Sequence, residues 1–563
     1  MKQKKKKNIY ISALAALALP MLSGCMQEFQ PETSYADSDQ VADAPNSYNN
    51  FVNALYSTLS GSFVFGTDDT YPYDYGITSM FLTRDVAGQD VVPAYSGSWY
   101  SSWYQCGAGL GPKYLVCQIP WTYYYKWIKG ANDVISLSGE TPEGAHKYGA
   151  GQAYATRAWM YLELSQMFAK KPYAVDKQNI TVPIVTEKTT LDDLAFNPRA
   201  PWEKMMEFII SDLDQAESLL DGFTRADVYV MDKSVVYGLK ARAYLLMEDW
   251  ANAEKYAKLA QDGYSMMSTA EYTSRTNGFN SPNGSWMYAT KFNPTDQNIL
   301  LNGGDSCWGS HMILEINPSV SGCGYAANYG QQNVIDRHLY ETIPATDIRK
   351  GVFVDFAIDD MPNKAAQIEA LKAYSDYPEW VWSTGYDGYY EQVGGLSLKF
   401  RAGGGSEGHE NQYIGFCVSV PLMRFEEMKL IEIEAVGMQN EGNGISMLTD
   451  FAKQRDSNYV YGQHNETYYN TNTPAFRNEV WWQRRVELWG EGFSTFDIKR
   501  LQKGIIRSYD GSNHVDGYRW NMEQTPDWMN WCIVGTEQDY NFGLGGNNPT
   551  PIAPIGNSPL YVW

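Results

Sequence analysis

Two stretches of this chain carry one helical signature, and it restricts the fold more than any other feature. Tyr154, Ala158 and Tyr161 recur in type and spacing as Tyr237, Ala241 and Tyr244. Steps of four and three put each trio on one face of a helix. A small residue in the middle of such a face lets a second helix backbone approach, and the tyrosines fill the groove beside it. After the second copy a partner follows at once: Trp250 to Ala260 carries Ala253, Ala257 and Ala260. Pro201-Trp202 opens another helix, with Ile209, Leu213, Ala216 and Leu220 in register. Proline suits a first turn, where no N–H is needed.

These pairs resemble tetratricopeptide hairpins, with Lys240 standing where that repeat prefers Leu. The expected fold is mainly α: a tetratricopeptide-like helical-pair scaffold with long irregular loops and a few short β-strands. A helix begins near Tyr48, with Phe51, Leu55 and Leu59 on one stripe, and fades at Gly61. The scaffold is expected over residues 48–270 and 415–505, with a loop-rich insert at 271–414 and an irregular region at 506–563. Short apolar runs from Met312 to Ile316, Leu396 to Phe400 and Tyr413 to Val420 read as strands, and helices resume at Pro421.

Within the first scaffold segment, residues 61–120 show no sustained helical period and hold a dense aromatic patch. From Tyr95 to Trp127, eleven of 33 positions are Trp or Tyr. So many rings disfavour disorder. From Trp121 onward, Tyr125, Ile128, Asn132 and Ile135 complete a helical stripe that belongs in a core. Before Gly111-Pro112 the rings look displayed. Arg84, Asp85 and Asp90, followed by Tyr95, Trp99, Tyr100 and Trp103, mix hydrogen-bonding groups with rings on which the apolar face of a sugar can pack. Trp286, Trp308 and Tyr325, in the insert, are second-rank candidates.

The N-terminus reads as a targeting segment. Five lysines precede a short apolar stretch, Ile9 to Leu22, that is too short to span a bilayer comfortably. It ends in Leu22-Ser23-Gly24-Cys25, which resembles a bacterial lipobox. Residues 1–24 are therefore expected to be a lipoprotein signal peptide, Cys25 the lipidation site and 25–47 an acidic tether. Lipid chains would hold the protein at a membrane without a spanning helix. The formal charge of -21, with no basic cluster beyond the first residues, argues against nucleic-acid binding.

Export makes disulfides available to Cys106, Cys117, Cys307, Cys323, Cys417 and Cys532, although six cysteines allow about fifteen pairings. A Cys106–Cys117 link would staple the displayed rings. No CxxC occurs and the six histidines are scattered, so no zinc site is expected. No cofactor is expected either, although Asp68-Asp69 and Asp359-Asp360 lie in loops that could hold a structural Ca²⁺.

Three segments carry a family resemblance. They are Arg424-Phe425-Glu426-Glu427-xx-Leu430-xxx-Glu434-Ala435, then Arg484-Arg485-x-Glu487-Leu488-xx-Glu491-Gly492-xxxx-Asp497-Ile498-x-Arg500, and Arg157-Ala158-xx-Tyr161-xx-Leu164-xxx-Phe168-xxx-Pro172. With the lipobox, they resemble the SusD/RagB family of outer-membrane lipoproteins. Glu426, Ile433 and Ser494 depart from the family pattern. Glu487, Glu491, Asp497 and Arg500 alternate in charge along what reads as one helical segment, and are expected to form a salt-bridge lattice between helices rather than a catalytic pair.

The resemblance implies a surface lipoprotein that captures oligo- or polysaccharide and passes it to a SusC-like TonB-dependent transporter. It also admits a peptide-binding, RagB-like alternative. A glycoside hydrolase is the third reading, since sequence alone cannot exclude two suitably spaced carboxylates. No marked enzyme motif supports it. Gly404-x-Ser406-x-Gly408 matches a nucleophile elbow in letters only, because the run that follows it, Tyr413 to Val420, reads as a strand rather than a helix. Gly403 to Gly408 therefore reads as a hairpin loop, and no enzyme activity is expected.

Overall fold

Helices stacked side by side make up most of the structure, and small residues mark where they meet. The computed structural model describes residues 46–62, 71–94, 97–300, 305–319, 323–328, 330–357, 363–381, 394–465, 467–469, 472–526, 529–556 and 558–563. The expected signal peptide, Cys25, most of the tether and both Asp-Asp pairs fall outside these residues. Asn49–Trp563 forms one unit.

The first part contains α1 (Ser47–Ser57), α2 (Ile77–Val86), β1 (Val91–Pro93), α3 (Ser101–Gln105), α4 (Leu115–Ser138), α5 (Gly144–Phe168), β2 (Ile180–Pro183), β3 (Arg199–Pro201), α6 (Trp202–Leu219), α7 (Lys233–Met247) and α8 (Trp250–Ala260). The insert holds β4 (Trp286–Lys291), α9 (Trp308–Met312), α10 (Tyr325–Asn328) and β5 (Asn333–Ile335). Then follow β6 (Ser419–Arg424), α11 (Phe425–Gln439), α12 (Glu441–Ala452), α13 (Ala475–Glu487), α14 (Ser494–Arg500), β7 (Ile505–Ile506) and β8 (Asn521–Met522). Strands pair only two by two, all antiparallel: β1 with β5, β2 with β3, β4 with β6 and β7 with β8.

Helix α4 packs on α5, α5 on α6, α7 on α8, α8 on α11, and α11 on α12 and α13. Ala158, Ala241, Ala253, Ala257 and Ala260 are buried at these contacts. Tyr244 stacks on Tyr256 at 5.5 Å. Lys240 keeps its place because its buried stem carries the ammonium to Asp214 (2.6 Å) and Glu217 on α6. Where α11 meets α12, a Cβ on Gly444 would lie 2.3 Å from the Gly437 Cα, so only glycine permits that approach.

Several expected elements differ. Residues 61–120 do contain helices: every residue of α2 is buried, so no polar face marks its period. Helix α4 starts at Leu115 rather than Trp121, with Pro120 inside it, where the missing N–H forfeits a single backbone bond. Met312 closes α9, and Leu396 and Ser397 make only isolated bridges to Val334 and Phe353. Tyr413 lies in a helical turn, and Pro421 lies within β6 instead of opening a helix. Short apolar runs do not by themselves separate strand from buried turn. The Gly404-x-Ser406-x-Gly408 segment forms a helical turn over Gly405–Glu410, not a hairpin.

The charged motif is a buried lattice, and it spans two helices rather than one. Glu487 ends α13, while Asp497 and Arg500 lie on α14, beyond a turn containing Gly490 and Gly492 at positive φ. The Glu487 carboxylate accepts from Arg424 (2.8 Å), Arg455 (3.1 Å) and Arg349 (3.4 Å). Glu491 binds Arg424 (2.8 Å) and Lys399 (2.6 Å), and Glu426 binds Arg455 (3.1 Å). A second group joins Glu434 to Arg500 (2.6 Å) and Arg477 (2.7 Å), and Asp497 to Arg484 and Arg500 (both 2.7 Å). All of these side chains are buried. Burial alone would raise the Glu487 carboxyl, but three guanidiniums hold it well below the usual carboxylate range.

Glu434 gives a pH test. Burial raises its pKa, Arg500 and Arg477 outweigh that, and the carboxyl is held down to about 2. A depressed folded-state value stabilises fully above the unfolded value of about 4.3 and fades as pH falls toward about 2, a contribution of about 3 kcal/mol. Urea midpoints measured from pH 7 to pH 2 should fall steeply below about pH 4, and Glu434→Gln should start lower and show a shallower acid limb.

Candidate ligand-binding site

Pairing of β1 with β5 brings the two expected sources of ligand contacts together, one from residues 61–120 and one from the insert. Val92 faces Val334, Ala94 N–H donates to Gln332 O (2.9 Å), and Trp99 N–H donates to the Gln331 Oε1 (3.2 Å). The chain leaving β1 is thus fixed to the chain entering β5. Trp99 is then 38% exposed and lies edge-on to the half-buried Tyr325 of α10, ring centroids 6.0 Å apart.

Two tyrosines that the sequence reading passed over extend this row. Tyr73 lies 5.9 Å from Trp99, and Tyr71 stacks on Tyr73 at 5.5 Å with planes 3° apart. Tyr71 is half-buried, whereas Tyr73 and Tyr75 are buried. Beneath the row, His311 stacks on Tyr325 (5.3 Å) and Tyr75 (5.7 Å). Its Nε2 lies 2.7 Å from Pro72 O; a carbonyl only accepts, so Nε2 carries the proton. Burial lowers the imidazole to about 3, leaving it neutral near pH 7. Neutral rings below and partly exposed rings above form an angled aromatic face.

Beside Ala94, the residue that follows β1, lies a cleft of about 750 Å³, lined by Arg337, Tyr340, Asp355, Phe356, Asn513 and Arg519. Ala94 at this cleft and Trp99 at the aromatic face thus lie close in sequence. Tyr95, one of the expected contacts, falls outside the described residues. Asp305, two residues before Cys307, is buried with its Oδ1 unpartnered, and burial pushes its carboxyl up to about 7.

Most of the other expected contacts are structural. Arg84 Nη1 donates to Glu163 (2.7 Å) and Tyr124 (3.2 Å). Asp85 accepts from the N–H groups of Gly492 (2.9 Å) and Ser494 (3.2 Å), and burial, partly offset by those bonds, raises its carboxyl to about 7. Asp90 forms a bidentate pair with Arg485 (2.6 and 2.9 Å). Tyr100 donates to the Tyr75 hydroxyl (2.6 Å), and Trp103 packs edge-on to Tyr73. Trp286 is buried on β4, and Trp308 is buried against Phe400 at 4.7 Å. These seven are buried in the core, and a ligand cannot reach them in this structure.

The expected Cys106–Cys117 staple is likewise absent. The Cys106 thiol donates to Trp103 O (2.9 Å) and the Cys117 thiol to Cys532 O (3.0 Å), and both cysteines are free. The α3 packing holds the rings instead. Among the described residues no group of His, Cys, Asp and Glu is arranged to hold a metal ion, and no helix is long and apolar enough to cross a membrane.

Comparison with known proteins agrees with this architecture. Residues 90–245 match a SusD-like family model described as starch-binding and associating with the outer membrane. The SusD-like protein P38 of Formosa agariphila is 23% identical over 273 residues, which covers 47% of this chain and 48% of that protein. This chain therefore spans about half the length of that relative. A SusD-like carbohydrate binding protein from Bacteroides vulgatus superposes with a TM-score of 0.67 at 20% identity, over 91% of this chain and 98% of its own. The surface glycan-binding protein A of Bacteroides thetaiotaomicron, solved with laminarihexaose, gives 0.61 at 16%, over 89% of this chain and 98% of its own. The family-model match thus covers residues 90–245, and the fold matches that of the Bacteroides vulgatus protein over 91% of the chain.

The two kinds of residue should separate on substitution. Asp90→Ala leaves a buried guanidinium without its partner and should cost about 3–5 kcal/mol in urea denaturation. Trp99→Ala, at a partly exposed ring, should cost about 1 kcal/mol or less.

Proposed function

We propose that this protein is a cell-surface glycan-binding lipoprotein that captures oligo- or polysaccharide and delivers it to a TonB-dependent outer-membrane transporter. The observation that carries the binding reading is the aromatic face on which Tyr71, Trp99 and Tyr325 are partly exposed and are joined through the buried Tyr73, on two loops tied together by β1 and β5. A pyranose presents apolar C–H faces that pack on such rings, and hydroxyls that need polar partners. The adjoining cleft supplies those through Arg337, Asp355, Asn513 and Arg519. Matching a ring row to a polar flank is how sites of this kind gain both affinity and orientation. The family description and the glycan-bound neighbour support the ligand class, while Cys25 supports the lipid anchor.

The arrangement supports binding over catalysis. Glu487, Glu491 and Asp497, the marked motif carboxylates, are each engaged by buried Arg or Lys, and Ser406 lies within the helical turn Gly405–Glu410 with no strand leading into it among the described residues, so it is not seated on a nucleophile elbow.

Calorimetric titration of the soluble body with starch and laminarin oligosaccharides should detect binding to at least one glycan. Trp99→Ala and Tyr325→Ala should weaken it by about tenfold or more with the melting temperature nearly unchanged. Glycan chain lengths should be the same before and after prolonged incubation. Binding of peptides with no response to any glycan would overturn the proposal.

A further inference from the structure

Part of the irregular C-terminal region lies across the start of α4, and two cysteines meet where they touch. Cys117, in the first turn of α4, donates its thiol to the carbonyl of Cys532 itself (3.0 Å). Cys532 directs its own thiol to Pro549 O (3.3 Å) and Asn548 O (3.6 Å). Both residues are buried. Cys106 and Cys417, by contrast, donate within their own turns, to Trp103 O (2.9 Å) and Tyr413 O (3.0 Å).

Bonds on both sides of this contact hold the two backbones together. Gly535 N–H donates to Pro112 O (2.8 Å), and Trp531 N–H to Met167 O in the last turn of α5 (3.1 Å). Asn548 donates to Phe168 O and Trp531 O (both 2.7 Å), and Asn547 accepts from Ile533 N–H (2.7 Å). A Cβ on Gly111 would lie 3.0 Å from the Thr550 methyl carbon, so the segments also touch just before Cys117. A disulfide needs its Cα atoms within about 7 Å, and a thiol bonded to its partner's own carbonyl is on that scale. None of the contacts that pin the segments runs through either sulfur. They survive a turn of the Cys532 thiol from Pro549 O toward Cys117.

We propose that Cys117 and Cys532 are a disulfide-forming pair, closed by exchange with a disulfide oxidant, either protein-borne or oxidised glutathione. One cysteine, as thiolate, attacks a sulfur of the oxidant's disulfide and releases one thiol; the other attacks the mixed disulfide and releases the second. The pair loses two protons and two electrons, and the oxidant takes them up as two thiols. The thiolate is the attacking form, and burial pushes the Cys532 thiol up to about 11 and the Cys117 thiol higher still. Exchange therefore belongs to folding, before the C-terminal segment closes over the pair, and the finished bond is shielded from reductants. The segment it ties down meets the last carbonyl of α5 through Asn548, yet among the described residues after β8 only Gly535–Tyr540 is helical. A covalent tie to α4 keeps this sparsely ordered segment docked. The inference stands apart from glycan binding and needs only an oxidising compartment, which the N-terminal segment is read to provide.

The test unfolds the full-length protein in guanidinium chloride with dithiothreitol, then refolds one half with oxidised and reduced glutathione and the other half with dithiothreitol. Free thiols are blocked with iodoacetamide before digestion and mass spectrometry. The glutathione sample should yield a linked pair of peptides carrying Cys117 and Cys532. Its thermal midpoint should exceed that of the reduced sample by about 2 °C or more. Cys117→Ala should abolish both the linked pair and the difference in midpoint, and Cys417→Ala should keep both. Should Cys117→Ala fold poorly, the peptide map of the wild type decides, since it needs no variant. Alkylated Cys117 and Cys532 in the glutathione sample, or linkage of either to a different cysteine, would overturn the proposal.

Discussion

The carboxylate of Glu487, met by three guanidiniums in the interior, is the contact on which the second scaffold segment and the insert depend. Arg424 closes β6, Arg455 follows α12 and Arg349 comes from the insert, so one side chain joins segments that sequence places far apart. Removing these ions from water is costly, and their mutual attraction offsets that only while every member is in place. The lattice therefore specifies register more than it adds stability. A helix shifted by one turn would leave several charges buried and unpaired, which is a far larger penalty than a misplaced leucine.

Helix α2 shows how that core reaches the loops. Asp85 receives the backbone of the α13–α14 turn, and a side chain at Gly492 would collide with Phe81 at 2.6 Å. Arg84 meets Glu163 of α5. The segment between α1 and β1 is thus wedged into the charged centre before it emerges as the loop that carries Trp99. Rigid support behind a partly exposed row of rings leaves little to be ordered when a ligand arrives.

Much of the scaffold was legible because helix pairing leaves a periodic trace: Ala158, Ala241, Ala253 and Ala257 are buried where their spacing implied. Helix α2 left no trace, being buried on every side with polar and apolar residues mixed around it, and Pro120 hid the start of α4. In the candidate site, Trp99 and Tyr325 were named and are brought together, whereas Arg84, Asp85 and Asp90 were named for a chemistry that they direct inward. Their partners Glu163, Gly492 and Arg485 are separated from them by 79, 407 and 395 residues, and nothing in a local window reveals such pairings. Tyr71 and Tyr73 were missed because Trp99, the ring that reveals their place, lies outside their local window.

Asp90 also shapes how this protein answers experiments. Its side chain clasps Arg485, its carbonyl accepts from Trp489 Nε1 (2.8 Å) and from Asp336 N–H (3.0 Å), and the next residue begins β1. The strand that positions the aromatic face thus hangs from the charged interior by one residue. A screen that scores only lost sugar capture would rank Asp90 and Arg485 alongside Trp99, although neither can touch a sugar. In a protein built this way, a functional map drawn without a parallel measure of folding would be a map of its suspension points.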